Sequence, residues 1–156
     1  MLLGMTLQTR PEEIYRALIE STAYGTRVII ENFHNNGVPI NKLLAGGGLT
    51  KNPLLIQIYA DVTEYEIRIP DSPEIAALGA AMLAAVAAGV ERGGYSTLSL
   101  AAQNMAPKEG CLYIPNPQSS MVYRQIFQAY SQLVNYFGHY ENPVMDTLRK
   151  LRNAAK

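Results

Sequence analysis

The stretch Leu43-Leu44-Ala45-Gly46-Gly47-Gly48-Leu49-Thr50-Lys51-Asn52-Pro53 constrains the fold of this chain more than any other. An apolar run enters three consecutive glycines, and the chain leaves them through Asn52-Pro53 into a periodic apolar segment. That order reads as a strand, a loop presenting backbone rather than side chain, and a helix start. Residues without a Cβ let another group come against the main chain. The following helix turns its free N–H groups and positive dipole end back toward the loop, a favourable place for phosphate or another anion. Two readings stay open on these residues alone, a loop that holds a ligand and a turn packed tightly under a helix.

Neither common phosphate fingerprint fits. A Walker loop needs Gly directly before its Lys and Ser or Thr directly after, whereas Thr50 precedes Lys51 and Asn52 follows it. The dinucleotide fingerprint needs spaced glycines, and these are consecutive.

The flanks alternate helix and strand. Thr9-Arg10-Pro11-Glu12 reads as a helix start, with Thr9 as N-cap and Glu12 completing a capping box. Ile14, Leu18, Thr22, Gly25, Ile29 and Phe33 recur at helical spacing, which predicts one long helix ending near Asn35-Asn36-Gly37. Residues 42–45 are the strand that feeds the glycines. Asn52 can cap the next helix with Pro53 at its first position, and Leu54, Leu55, Ile58 and Tyr59 are expected on its buried face. Tyr65-Glu66-Ile67-Arg68-Ile69 alternates apolar and polar, the period of a half-buried strand. A third helix is expected from Ser72 as N-cap and Pro73 as first residue, with Ile75, Leu78, Met82, Leu83 and Val86 inward and Gly89 at its end. Residues 91–117 read as an irregular connection with a short helix near residues 99–105. Two more helices are expected, one opening at Ser119 or Ser120 and one at Asn142-Pro143. Two strands alternating with helices argue a parallel α/β pair. Such a pair has two faces to cover and makes a poor sheet alone, so the chain is expected to be part of a larger protein.

Bulk properties narrow the function classes. Thirteen basic residues balance thirteen acidic ones among 156, so no electrostatic footprint for nucleic acid or a charged membrane surface exists. With 48% apolar and 17% charged residues, the composition is that of a chain with a packed core. Cys111 is alone, which with the lack of a secretory pattern leads to the expectation of a cytoplasmic protein. His34 and His139 have no partner at ligand spacing, so no metal site is expected. Asp61 and Glu74 read as capping or solvated charges rather than an acid–base pair. The ten tyrosines are not interleaved with Arg or Lys as in a nucleic-acid groove, and are expected in the core and at interfaces.

The glycine loop, Gln57, Ala60-Asp61-Val62, Pro70 and Glu74-Ile75-Ala76-Ala77-Leu78-Gly79-Ala80-Ala81 together resemble the C-terminal region of the FGGY carbohydrate kinases. Ile14-Tyr15-Arg16-Ala17, with Glu20, Ala23, Arg27 and Glu31, resembles the long helix that precedes the loop in that family, so the likeness covers nearly the whole chain. It implies an α/β fold, the C-terminal part of an actin-like (ribonuclease-H-type) ATPase domain, helix-rich with a short parallel strand pair, over residues 1–156. It implies ATP as the bound nucleotide, with Gly47 and Gly48 offering backbone to it and Asn52 binding from the helix start. It fixes no role for Thr50 or Lys51. In the family the sugar site, the general base and the Mg²⁺ carboxylates lie upstream, so sugar and Mg²⁺ are expected only through a domain not present here. No catalytic residue and no metal ligand is assigned, and the chain is expected to be inactive alone. The rival expectation is a helical docking or homo-oligomerisation piece that binds no nucleotide and depends on Tyr130 and Leu133. A dinucleotide-binding oxidoreductase module ranks third, because the spaced glycines are missing.

Overall fold

In the computed structural model, which describes residues 1–72, 74–108, 110–138 and 142–155, the expected long helix is present as α1 (Pro11–Asn35). Its start lies one residue later than expected. Pro11 occupies the first helical position, which leaves Arg10 as N-cap, and the Glu13 carboxylate accepts the Arg10 amide at 2.8 Å. Thr9 instead accepts the Thr6 amide at 2.8 Å and closes the turn before the helix. Gly37, at φ +76°, stops α1 in a conformation that costs a glycine little.

Strand β1 (Leu43–Leu44) runs parallel to β2 (Ile67–Ile69), joined across α2 (Pro53–Thr63). The expected parallel pair is therefore present, and a third strand extends it. Strand β3 (Cys111–Tyr113) pairs antiparallel with β2, inside the stretch expected to be irregular. Three residues are too few to show a period, and Gly110 is what lets them reach the sheet. A Cβ there would run into the Ile69 carbonyl and the Pro70–Asp71 backbone.

Register divides the sheet into two faces. Leu43, Ile67 and Tyr113 share one row and join the core, whereas Leu44, Arg68 and Leu112 share the other. Leu44 and Leu112 are exposed on that second face.

Helix α2 forms the middle of the core between α1 and α5 (Pro117–Gly138). Leu55, Ile56, Ile58, Ala60 and Val62 are buried, while Leu54 points outward and Tyr59 is half-buried. The Tyr24 ring lies 5.3 Å from Tyr130, 6.1 Å from Phe127 and 6.2 Å from Tyr123. These contacts join α1 to α5 through an aromatic cluster.

Helix α3 (Ile75–Ala88) begins after Glu74 rather than after Ser72, and Pro73 lies outside the described residues. The face expected to be inward is not buried: no residue of α3 is, and Leu83 is 61% exposed. The helix packs instead on α4 (Leu98–Met105), whose N-cap is Thr97. Its Ala and Gly surface is flat and shallow, so it buries little against a single neighbour. Asn116 caps α5, accepting the Gln118 and Ser119 amides, in place of the expected Ser119 or Ser120. Asn142 opens α6 (Val144–Ala154) by accepting the Val144 amide at 2.9 Å. His139 lies outside the described residues.

Candidate functional site: the glycine loop

The loop starts where the sheet ends. The Ala45 amide still donates to the Arg68 carbonyl at 3.0 Å, so residues 46–48 leave from the C-terminal edge of β1. In a parallel α/β arrangement that edge is where ligands are held.

Gly47 adopts φ +96° and ψ −175°, a region that only glycine occupies without strain. The chain then makes a 3₁₀ turn over Gly48–Lys51. Thr50 stabilises it twice, donating its amide (3.1 Å) and its hydroxyl (2.6 Å) to the Gly47 carbonyl. The Asn52 amide donates to the Leu49 carbonyl at 3.2 Å. Asn52 itself is extended, and its Oδ1 accepts the Leu54 and Leu55 amides at 3.1 and 3.3 Å, capping α2.

That geometry divides the Asn52 side chain. An N–H donor requires an oxygen acceptor, so Oδ1 is committed to the helix and Nδ2 is the atom that can meet a ligand. Gly47 and Gly48 present open backbone: a Cβ on either would find no heavy atom within 4 Å. Gly46 differs, because a Cβ there would stand 3.4 Å from Cβ and Cγ1 of Ile75, the first residue of α3. The starts of α2 and α3 therefore flank the same loop, and neither helix carries an acidic residue in its first turn. The loop thus presents Cβ-free backbone beside two helix starts, and at α2 Asn52 already accepts the Leu54 and Leu55 amides.

Of the three expected site residues, Gly47 and Gly48 are exposed and Asn52 is half-buried at the start of α2. Helical spacing places Ile75 only on a core face, and the tertiary fold alone brings it near the loop. Among the described residues no group of three His, Cys, Asp or Glu side chains could hold a metal ion. Of the two carboxylates expected as capping or solvated charges, Glu74 is exposed at the N-cap position of α3, whereas Asp61 is not solvated. It is buried, and its Oδ1 accepts from Gln57 Nε2 at 2.8 Å and from the Asn116 amide at 2.7 Å.

A second ionic site lies beyond the α2 C-terminus. Glu64 is the one non-glycine with positive φ (62°) among the described residues, and it bridges Arg27 at 2.9 Å and Arg124 at 2.5 Å. The hydrogen bond from Arg124, then that from Arg27, holds its carboxyl below the ordinary 4.5 against the opposing effect of burial. Arg27 also donates to the Val62 carbonyl and lies 4.6 Å over the Phe127 ring. This cluster ties α1, α2 and α5 together and does not touch the loop.

Residues 1–88 match the model of the FGGY family of carbohydrate kinases, C-terminal domain. The chain belongs to this family. Over 154 residues it is 51% identical to a ribulokinase of Bacillus licheniformis, a match that spans 98% of the chain and 28% of the relative's length. The FGGY chain is also similar in structure to xylulose kinase from Rhodospirillum rubrum, with a TM-score of 0.71 and 23% identity over 88% of this chain and 27% of that one. A glycerol kinase of Plasmodium falciparum, solved with ADP, matches with a TM-score of 0.63 and 21% identity over 83% of this chain and 25% of that one. These structural likenesses show the fold, a helix-rich actin-like arrangement around a mixed three-stranded sheet. Among the described residues no helix is long and apolar enough to cross a membrane.

Proposed function

We propose that residues 1–156 are the nucleotide-side, C-terminal portion of an ATP-dependent carbohydrate kinase of the ribulokinase type. The observation that carries the reading is the open backbone of Gly47 and Gly48 beside the Asn52-capped start of α2. In this reading both glycines lie against ATP, and Asn52 Nδ2 donates to an acceptor on its adenosine part while Oδ1 holds the helix. The sequence likeness to ribulokinases makes ribulose the favoured sugar. The ADP in the related glycerol kinase structure supports a nucleotide in this fold.

Phosphoryl transfer needs a positioned acceptor hydroxyl, a base and metal-borne charge neutralisation. This chain supplies the nucleotide contact, and the sugar, the base and the Mg²⁺ ligands come from a domain outside it. It is therefore inactive alone and binds ATP weakly.

Calorimetric titration with ATP tests the reading. The parent binds, Gly48→Val blocks the approach to the backbone, and Asn52→Asp keeps the acceptor that caps α2 but removes the donor. If both variants bind as the parent does, the assignment fails.

A second reading, a docking or oligomerisation piece, rests on one observation. An open groove of 630 Å³ between α1 and α5 is lined by Leu18, Tyr24, Tyr130, Leu133 and Phe137. It predicts self-association that Leu133→Asp abolishes in light scattering, with no response to ATP.

A further inference from the structure

We infer that the groove between α1 and α5 seats an apolar, uncharged segment of the polypeptide that precedes this domain in its full-length relatives. The inference rests on reading the chain as the C-terminal portion of a longer kinase, and it names where that portion meets the rest.

Helices α1 and α5 both pack on α2 and meet each other through the Tyr24 aromatic cluster. Beside that cluster lies the open groove of 630 Å³. Leu18 of α1 and Ile126 of α5 line it while 51% and 42% exposed, with Leu133 and Phe137 further along α5. Apolar side chains gathered in one concavity are a surface that a partner buries.

The lining sets the chemistry of the occupant. Glu20 is the one charged side chain there, and it is already paired, accepting from Arg16 at 2.8 Å and from the Tyr123 hydroxyl at 2.9 Å. A charged group entering the groove would lose its water without gaining a partner, so the segment is apolar.

Upstream polypeptide, rather than a second copy, is the occupant. Residues 1–3 line one end of the groove, so a chain joined to Met1 starts at its mouth. The chain spans 28% of the length of the ribulokinase it matches, and the matched family model is that of a C-terminal domain. The remainder of such relatives is therefore joined ahead of these residues. A segment tethered at the mouth acts at a higher effective concentration than a separate molecule. A two-fold dimer would instead set one concave surface against another, whereas an isologous contact needs a self-complementary one.

The test co-expresses this chain with the Bacillus licheniformis relative truncated before its matching region, and measures assembly by light scattering. A one-to-one complex forms. Leu133→Asp or Ile126→Asp weakens it at least about tenfold, while each variant alone keeps the parental melting temperature. A single-chain fusion of the two parts, carrying Ile126→Cys in a Cys111→Ser background, gives a readout that does not require the truncated part to fold by itself. Its thiol is alkylated at least about tenfold more slowly than the same thiol in the isolated chain. Equal alkylation in the two overturns the inference, as does a complex indifferent to both Asp substitutions or the absence of a complex with a folded upstream part. Self-association of the chain alone that Leu133→Asp abolishes assigns the groove to a second copy and overturns it as well. A groove-dependent complex from a chain that ignores ATP overturns the nucleotide reading alone, so the two failures are distinguishable.

Discussion

Asp61 Oδ1 and the Asn116 amide meet at 2.7 Å across 55 positions of sequence, joining the last turn of α2 to the residue that caps α5. The carboxylate is buried, and it also accepts from Gln57, whose amide in turn donates to the Ile114 carbonyl at 2.9 Å. Removing a buried acceptor strands its donors, which costs more than the bond itself contributes. Asp61→Ala should therefore lower unfolding free energy by about 3 kcal/mol in urea denaturation, and Asp61→Asn, which retains an acceptor, by about 1 kcal/mol.

The Glu64 cluster gives a pH dependence of fixed sign. Its folded carboxyl titrates below the ordinary 4.5, so the folded state binds the proton less readily than the unfolded chain. The stabilisation is complete above the unfolded value and disappears as pH falls through the folded one. Urea midpoints of the parent and Glu64→Gln should differ by a constant amount above about pH 5.5 and converge as the solution is acidified further. A difference that persists unchanged to the lowest pH would exclude this carboxylate as the source.

Asn52 carries a stability role separable from ligand binding. Asn52→Ala should cost about 1 kcal/mol as the cap of α2 is lost, while Asn52→Asp should hold within about 0.5 kcal/mol. Thermal unfolding in the absence of nucleotide reads this directly.

The adjacent glycines should respond differently to the same methyl group. Gly47→Ala forces a side chain into φ +96° although space for the methyl is open. It should destabilise by about 1–3 kcal/mol. Gly46→Ala has no such φ and meets Ile75 at ordinary contact distance. Its effect on stability should stay below about 0.5 kcal/mol. Equal effects in denaturant unfolding would contradict the backbone assignment.

Tyr24 is buried, and its hydroxyl has no hydrogen-bond partner in the aromatic cluster. Burial, reinforced by the charge of Glu20, pushes the phenol above its ordinary 10.0. Tyr24→Phe deletes an unsatisfied polar atom while keeping the ring contacts. It should leave stability unchanged or raise it by up to about 1 kcal/mol, measured by thermal unfolding.

Much of the local structure is legible in the sequence because it is encoded locally. The period of α1, the Gly37 stop, the Asn52-Pro53 start of α2 and the alternation around β2 each depend on neighbours within a few residues. The grouping of Gly47, Gly48 and Asn52 is legible for the same reason, since all three fall in one short stretch. What escapes depends on distant chain segments. Strand β3 is three residues long and exists because β2 offers an edge. The helical spacing in α3 predicts a core face, but spacing identifies a face without supplying a surface to cover it.

The sequence by itself determined the order of elements, the loop that breaks β1 from α2, and the residue that caps the helix behind it. Tertiary structure alone decided that Ile75 lies near Gly46, that Asp61 is a buried tie rather than a solvated charge, and that Glu64 joins α1 to α5. The division follows from range. Backbone conformation and capping are settled by energies acting over one turn, whereas burial and pairing depend on which distant segment arrives to exclude water.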